Sequence, residues 1–309
     1  PVKENIIKGN DVDLFQLPVP KWHPQDGGRY INTWCGVVTR DPDDGEYNVG
    51  LYRGMIISRD KIGVFLVPAQ GWGAHYMKYQ QMGKPMPIAV VYGWDPSMGF
   101  TAGLPLTGVG EYEVMGAIRQ EPVPLCRCET SDLEVPASAE IVVEGTISTD
   151  PSTYEMEGPF GEATTYYSLP EKRQVIKVDC ITFRNDPIYR GSLAGVGAIT
   201  EDMVIFFAGL PAIMWNTLEL QDIPGILDIV PMPIVVVKIH KMYQGQPRQI
   251  AAALWGSKIA INMGKIIMVV EEDVDINNPR ALLGALLTRV DPEKDLIVFP
   301  MNLGTSADP

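Results

Sequence analysis

Near residue 200 the hydrophobic rhythm of this chain changes, and the change separates two kinds of folding unit. From about residue 30 to 190 the apolar residues come in short runs rich in Val, Ile, Tyr and Thr. These are TWCGVVTRDPDDGEYNVGLYRGMII, KIGVFLV, PIAVVYG, AEIVVEGTIS and RQVIKVDCITFRN, parted by turn clusters such as DPDDG and NDP. β-branched and aromatic runs bounded by Gly, Pro, Asn and Asp predict a mostly antiparallel barrel or sandwich. Two helices interrupt it, around HYMKYQQMGK and GEYEVMGAIRQ. After residue 200 helix and strand alternate: helical EDMVIFFAGLPAIMWNTLEL, strand PIVVVKIH, helical QPRQIAAALWGSKIAIN, strand KIIMVVEEDVD, helical NPRALLGALLTRV, strand DLIVFP. That order implies βαβ units in a second, smaller α/β domain. The Gly- and Pro-rich NDPIYRGSLAGVGAITE between them reads as a hinge. The expected organisation is a first domain over 1–188, a hinge over 189–204 and a second domain over 205–309.

The net charge of −13 argues against a nucleic-acid partner, whose phosphates require a basic face. Anionic small molecules stay open, since a few local cations reverse the field inside a cleft. The apolar runs Ile234–Val237 and Ile266–Val270 are too short to span a bilayer and suit buried parallel strands. Residues 1–20 carry charges and prolines where a secretory signal would be apolar. Cys35, Cys126, Cys128 and Cys180 make neither a disulfide framework nor a zinc cluster and read as reduced thiols. The expected location is the cytoplasm. The chain opens without Met, as a fragment or processed product would.

Among groups able to do chemistry, YEMEGPFGEATT places Glu157 and Glu162 on either side of a Gly-Pro-Phe-Gly turn. Neither a helix nor a strand would carry such a pair on one face. Either this is a solvated loop with surface acids, or the turn aims both into one pocket. Arg53 sits among Leu51, Met55 and Ile56, and a buried guanidinium demands an anion, either a structural carboxylate or a substrate's. Asn48 lies five residues before it, which on an unbroken strand puts the two on opposite faces. His75 opens a helix after a glycine-rich approach, where backbone N–H groups favour an anion. Glu111, at the start of the other helix, is a dipole-favoured surface acid or a metal ligand. His23 reads as a surface residue and His240 as a structural one. There is no H-E-x-x-H, G-x-S-x-G, Walker A or complete G-x-G-x-x-G motif.

An ordered set of blocks resembles the UbiD-type decarboxylases, which use prenylated FMN: GGRYINTW, YNVGLYRGM, GAHYMKY, GVGEYEVMGAI, CETSDLEVPASAEIVVEGTIS and EGPFGE. KIIMVVEEDVD and LLTRVDPEKD extend the resemblance through the second half. It implies a split β-barrel flavin-binding domain followed by the smaller α/β domain. It also implies an N-terminal domain and a C-terminal tail beyond this chain. Asn48, His75 and Glu111 match the family's ligands for Mn²⁺ (or Mg²⁺) at the flavin phosphate, with K⁺ beside it. Arg53, Glu157 and Glu162 match its catalytic network, and Thr33 and Lys265 match positions near the flavin. By position, Ala74, Ala163, Met203 and Phe207 are expected to line the substrate pocket.

The implied reaction is reversible decarboxylation of an aromatic or α,β-unsaturated carboxylic acid with release of CO₂, Glu162 giving the proton. Burial against Phe160 is expected to raise the Glu162 pKa. A flavin prenyltransferase would supply the cofactor, and a homo-oligomer, dimer or hexamer, is expected. The alternative is a non-catalytic or scaffold subunit of a multi-subunit carboxylase. A metal-free hydrolase using Glu157 and Glu162 would leave the Asn48–His75–Glu111 set without a purpose.

Overall fold

A computed structural model describes residues 1–195, 200–231, 234–259 and 264–300, the side chains of 201–203, 205 and 206 excepted. The chain divides into two compact units, Pro1–Phe206 and Phe207–Pro309.

The first unit is built on an antiparallel sheet of nine strands. In chain order its strands are β1 (Asn5–Lys8), β2 (Arg29–Asn32), β3 (Gly36–Arg40), β4 (Tyr47–Gly50), β5 (Gly54–Ser58), β6 (Lys61–Val64) and β7 (Met86–Tyr92). Two short strands, β8 (Leu125–Arg127) and β9 (Glu134–Pro136), form a separate hairpin before β10 (Ile141–Ile147). Another hairpin, β11 (Glu155–Glu157) with β12 (Glu171–Arg173), precedes β13 (Val175–Phe183). The main sheet runs β2-β5-β6-β13-β10-β7-β3-β4, with β1 also on β13.

Antiparallel strands with one wet face alternate apolar and polar residues. Here β7 reads MPIAVVY because both faces are covered. Met86, Ile88, Val90 and Tyr92 join one cluster, while Ala89 and Val91 join another. The first cluster gathers Ile31, Ile56 and Ile62 from one end of the strand order with Val37 and Val90 from the other, so the sheet curls around it. The Tyr92 hydroxyl crosses this interior to donate to Asn32 Oδ1 at 2.5 Å. The result is the expected split barrel, an open antiparallel half-barrel.

Helices α1 (Gly71–Gln81) and α3 (Glu111–Arg119) form at both expected segments. α1 contributes Trp72 and Tyr76 to the inner cluster, and α3 contributes Met115 to the outer one. A further helix, α2 (Pro96–Ala102), begins at Asp95, whose side chain accepts from Ser97 N at 2.9 Å. The run YNVGLYRGMII is not one strand. It breaks at 51–53, so β4 pairs with β3 while β5 passes to β2 and β6. Arg53 falls in the break, where the alternation rule between it and Asn48 no longer applies.

Helix α4 (Glu201–Glu219) leads into the second unit, which continues with β14 (Ile226–Val230), β15 (Val235–Ile239), α5 (Gln246–Trp255), β16 (Ile267–Glu271), α6 (Pro279–Arg289) and α7 (Pro292–Asp295). β15 and β16 pair in parallel across α5, the expected βαβ unit, and β14 adds antiparallel to β15. Val236, Val270, Val274, Ile276 and Ala285 form its core. The run DLIVFP is not the expected strand: α7 takes its first residue, and Leu296, Val298 and Phe299 are exposed. A strand needs a ladder partner as well as β-forming residues, and among the described residues no strand pairs with this run.

Candidate active site

Glu157 ends β11 and is completely buried. It lies against β6, where a Cβ on Gly63 would stand 3.3 Å from Glu157 Cβ. The chain then turns through Gly158, at φ +93°, into Pro159 and Phe160. A second segment grips this turn. Gly27 N donates to Pro159 O at 2.7 Å, and the buried Asp26 accepts from Gly161 N at 2.9 Å and from His23 N at 2.8 Å. Ser168 closes the far side, accepting from Phe160 N at 3.0 Å, while Glu162 N donates to Tyr166 O at 2.9 Å. The solvated-loop reading of YEMEGPFGEATT therefore fails: its backbone is pinned from both sides.

Pinned this way, the turn brings Glu157 and Glu162 to one guanidinium. Arg53 Nη2 donates to Glu157 Oε2 at 2.8 Å and Nη1 donates to Glu162 Oε1. The guanidinium lies 4.9 Å from the Phe65 ring centroid and 5.6 Å from that of Phe160. Two residues that no sequence reading marked complete the cluster. The Tyr30 hydroxyl donates to Glu157 Oε1 at 2.7 Å, and Arg173 Nε stands 3.3 Å from Glu157 Oε2. Tyr30 lies within GGRYINTW, but nothing in that string says which way the side chain points. Arg173 lies in β12 with no local signal at all.

Burial raises the Glu162 pKa against the opposing pull of Arg53, and the neighbouring Glu157 charge adds to the rise. Burial likewise pushes the Tyr30 phenol far above its ordinary value, with Glu157 reinforcing it, so it stays a donor. Buried ion pairs hold only when their remaining hydrogen-bonding capacity is met, and Arg53 Nε is buried without a partner among the described residues. That N–H is a donor available to a bound group.

The expected metal ligands gather around β4. Asn48 is the cross-strand partner of Thr39, and Thr39 Oγ1 lies 3.0 Å from His75 Nδ1. Asn48 Oδ1 presses on the first turn of α1, where a Cβ on Gly71 would lie 1.8 Å from it. Gly71 and His75 are one turn apart on one helix face, so the amide oxygen and the imidazole are neighbours by two routes. Tyr52 donates to Asn48 Oδ1 at 3.4 Å and also feels the charge of Glu111. His75 Nε2 is 3.7 Å from Asp41 Oδ2. Burial lowers the His75 pKa, which favours the neutral imidazole a metal needs. Amide oxygen, imidazole and carboxylate form a mixed set suited to Mn²⁺ or Mg²⁺. Among the described residues, no group of three or more His, Cys, Asp or Glu side chains forms a metal site, and the expected trio reaches three only through an amide.

The remaining expected residues are dispersed. Thr33 Oγ1 accepts from Ser192 N at 3.0 Å. Ala74 is exposed beside His75, and Ala163 is half-buried beside Glu162. Phe207 is buried in α4, the Met203 side chain lies outside the described residues, and Lys265 is exposed ahead of β16. His23 is not the surface residue expected. Its Nε2 lies 2.7 Å from Ala194 O, and a Cβ on Gly161 would meet its ring at 2.4 Å.

Comparison with known proteins gives these features a family. The model described as 3-octaprenyl-4-hydroxybenzoate carboxy-lyase Rift-related domain matches residues 1–197, and the model for the C-terminal domain matches 211–309. The chain belongs to the UbiD family. An uncharacterized Archaeoglobus fulgidus protein is 33% identical over the whole chain and 63% of its own length, and one from Aquifex aeolicus is 34% identical over 96% and 61%. The chain thus spans about three fifths of these UbiD relatives. An evolved dimeric form of the UbiD-class enzyme HmfF from Pelotomaculum thermopropionicum, solved in complex with prFMN, superposes with a TM-score of 0.86. It is 32% identical, over 98% of this chain and 70% of that one. Vanillic acid decarboxylase of Sedimentibacter hydroxybenzoicus, in closed form, gives a TM-score of 0.88 at 32% identity, over 96% and 63%. Among the described residues no helix is long and apolar enough to cross a membrane.

Proposed function

We propose that this protein is a prenylated-FMN-dependent decarboxylase of an aromatic or α,β-unsaturated carboxylic acid. The observation that carries the reading is the buried Arg53 held between Glu157 and Glu162, with the Glu162 pKa raised by burial. The similarity to a vanillic acid decarboxylase, and at 26% identity to a 3,4-dihydroxybenzoic acid decarboxylase of Klebsiella pneumoniae, favours an aromatic acid.

Decarboxylation must bind a carboxylate, release it as neutral CO₂ and return one proton to carbon. Arg53 binds and orients, since its fork engages carboxylates and its Nε is a buried donor without a partner among the described residues. Glu157, fixed by Tyr30 and Arg53, holds the guanidinium in place. Glu162, kept partly as the acid by desolvation, donates the proton to the carbon that has lost CO₂, and solvent reprotonates it. When bound, prenylated FMN supplies the electron sink for the pair left by the departing CO₂, which no side chain here can supply. Asn48, His75 and Glu111 would hold Mn²⁺ or Mg²⁺ at the flavin phosphate, with K⁺ nearby and Thr33 and Lys265 as further contacts. Ala74 and Ala163 are small enough to admit a broad ring, and Met203 and Phe207 would supply apolar walls. High CO₂ drives the reverse carboxylation at the same site. We further propose a cytoplasmic homo-oligomer supplied by a flavin prenyltransferase.

The test is CO₂ release from a panel of aromatic acids by protein loaded with prenylated FMN and Mn²⁺. Glu162→Gln should abolish release while the bound flavin spectrum persists. Undiminished turnover by that variant overturns the assignment of the proton donor.

A further inference from the structure

The site holds a second guanidinium for which the reaction above has no use. Arg173 ends β12, the hairpin partner of β11, and Glu155 is its cross-strand partner. Its guanidinium lies over the Phe65 ring, 3.6 Å from the centroid, the same ring that Arg53 approaches. Nε stands 3.3 Å from Glu157 Oε2, buried and outside hydrogen-bond geometry, while Nη2 pairs with Glu171 at 3.0 Å.

The two acids are therefore unequally furnished. Glu157 faces Arg53, Arg173 and the Tyr30 hydroxyl, whereas among the described residues Glu162 is paired with Arg53 alone. Arg173 lowers the Glu162 pKa by less than Arg53 does. The other ionisable neighbours do not even out this difference. Lys61 on β6 is paired with Glu155, Glu171 sits behind Arg173, and Asp26 lies behind Tyr30. Two carboxylates sharing one guanidinium titrate as a coupled pair, and without a further charge the proton would be divided between them. A second cation beside one of them breaks that symmetry.

We infer that Arg173 is a positioning residue: by facing Glu157 it keeps that carboxylate charged and turned toward Arg53, and so assigns the exchangeable proton of the site to Glu162. The inference rests on the proposed role of Glu162 and deepens it. An arginine is suited to this task because it stays protonated at any working pH. Phe65 stacks on its face and restricts its motion.

The experiment is an infrared titration of protonated carboxyl groups in the purified protein, with Glu157→Gln and Glu162→Gln identifying the bands. It is run beside the pH profile of CO₂ release by flavin-loaded protein. With Arg173 in place, Glu162→Gln should remove the site's band above the ordinary carboxyl range, and Glu157→Gln should not. Arg173→Met keeps the length and the contact with Phe65 but removes the charge. It should add a second band that Glu157→Gln removes, with a displaced rate profile. Arg173→Lys should restore the original pattern. Should the methionine variant fail to fold, Arg173→Gln carries the same expectation.

Titration and profile unchanged by loss of the Arg173 charge overturn the inference, even with normal decarboxylation. Conversely, if the loaded protein releases CO₂ from none of the acids, the functional reading fails, while the infrared titration still decides what Arg173 does.

Discussion

Gly27→Ala probes the idea that the acids are aligned by a backbone clamp remote from them in sequence. A Cβ at Gly27 would lie 2.1 Å from Gly158 O, where a real contact needs at least 3.0 Å. Both partners are backbone, so no side chain can rotate away. The clamp must open by roughly 1 Å, as overpacked sites do at a cost of about 1–3 kcal/mol. The opening breaks the 2.7 Å bond from Gly27 N to Pro159 O and displaces the turn that separates Glu157 from Glu162. A shift of about 1 Å in catalytic groups lowers rates on the order of 100-fold. Urea denaturation gives the stability loss, and initial CO₂ release by flavin-loaded protein gives the rate. Gly284→Ala is the control: nothing lies within 4 Å of its Cβ, and in the middle of α6 it should stabilise by up to about 1 kcal/mol. A Gly27→Ala protein that matches the parent in both measurements refutes the clamp.

Tyr30→Phe leaves one oxygen of the buried Glu157 without its donor, and denaturation at neutral pH should show a loss of about 1.5–3 kcal/mol; a loss within error would show that the bond contributes nothing. Thr39→Val removes the partner that orients His75, and Mn²⁺ affinity followed by electron paramagnetic resonance should fall about 10–100-fold; unaltered affinity would remove His75 from the metal site or Thr39 from its support. Two acids should shape the pH dependence of stability in opposite senses. Glu162 has its folded pKa raised by burial, so its contribution is fully present below the unfolded value of 4.5 and lost as pH rises through the folded value. Glu162→Gln should flatten that loss, and a slope that persists in the variant assigns it to other groups. Glu129, held down to about 2 by hydrogen bonds from Lys3 and Lys8, contributes stability above 4.5 that is lost as pH falls toward 2. Glu129→Gln should weaken this acid limb by a small, salt-sensitive amount, and an acid limb the same in both proteins counts against it.

Where the sequence was legible, a local rule was at work. Asp95-Pro96-Ser97, an N-cap followed by Pro at the first helical position, offered such a rule for α2, although only two other helices were expected in this unit. The break at 51–53 was not legible, because Tyr, Leu and Arg fit a strand as well as a crossing between two. DLIVFP has strand chemistry, and its fate depended on a sheet edge, which no run of residues encodes by itself. His23 looked like a loop residue because its two contacts, Ala194 O and Gly161, lie far along the chain.

Within the site the same division holds. The residue types of YNVGLYRGM and EGPFGE, and their order, bring an arginine and two acids into one family pattern before any coordinates exist. Composition and periodicity likewise determined an antiparallel unit followed by a βαβ unit, since alternation and helical spacing are properties of neighbouring residues. Tertiary structure alone decided that Glu157 meets Tyr30 and Arg173 as well as Arg53, while among the described residues Glu162 is paired with Arg53 only. It also set the burial that raises the Glu162 pKa. The reason is physical: a pKa depends on desolvation and on charges a few ångströms away, and those are set by which distant segments fold against each other, not by the sequence around the carboxylate.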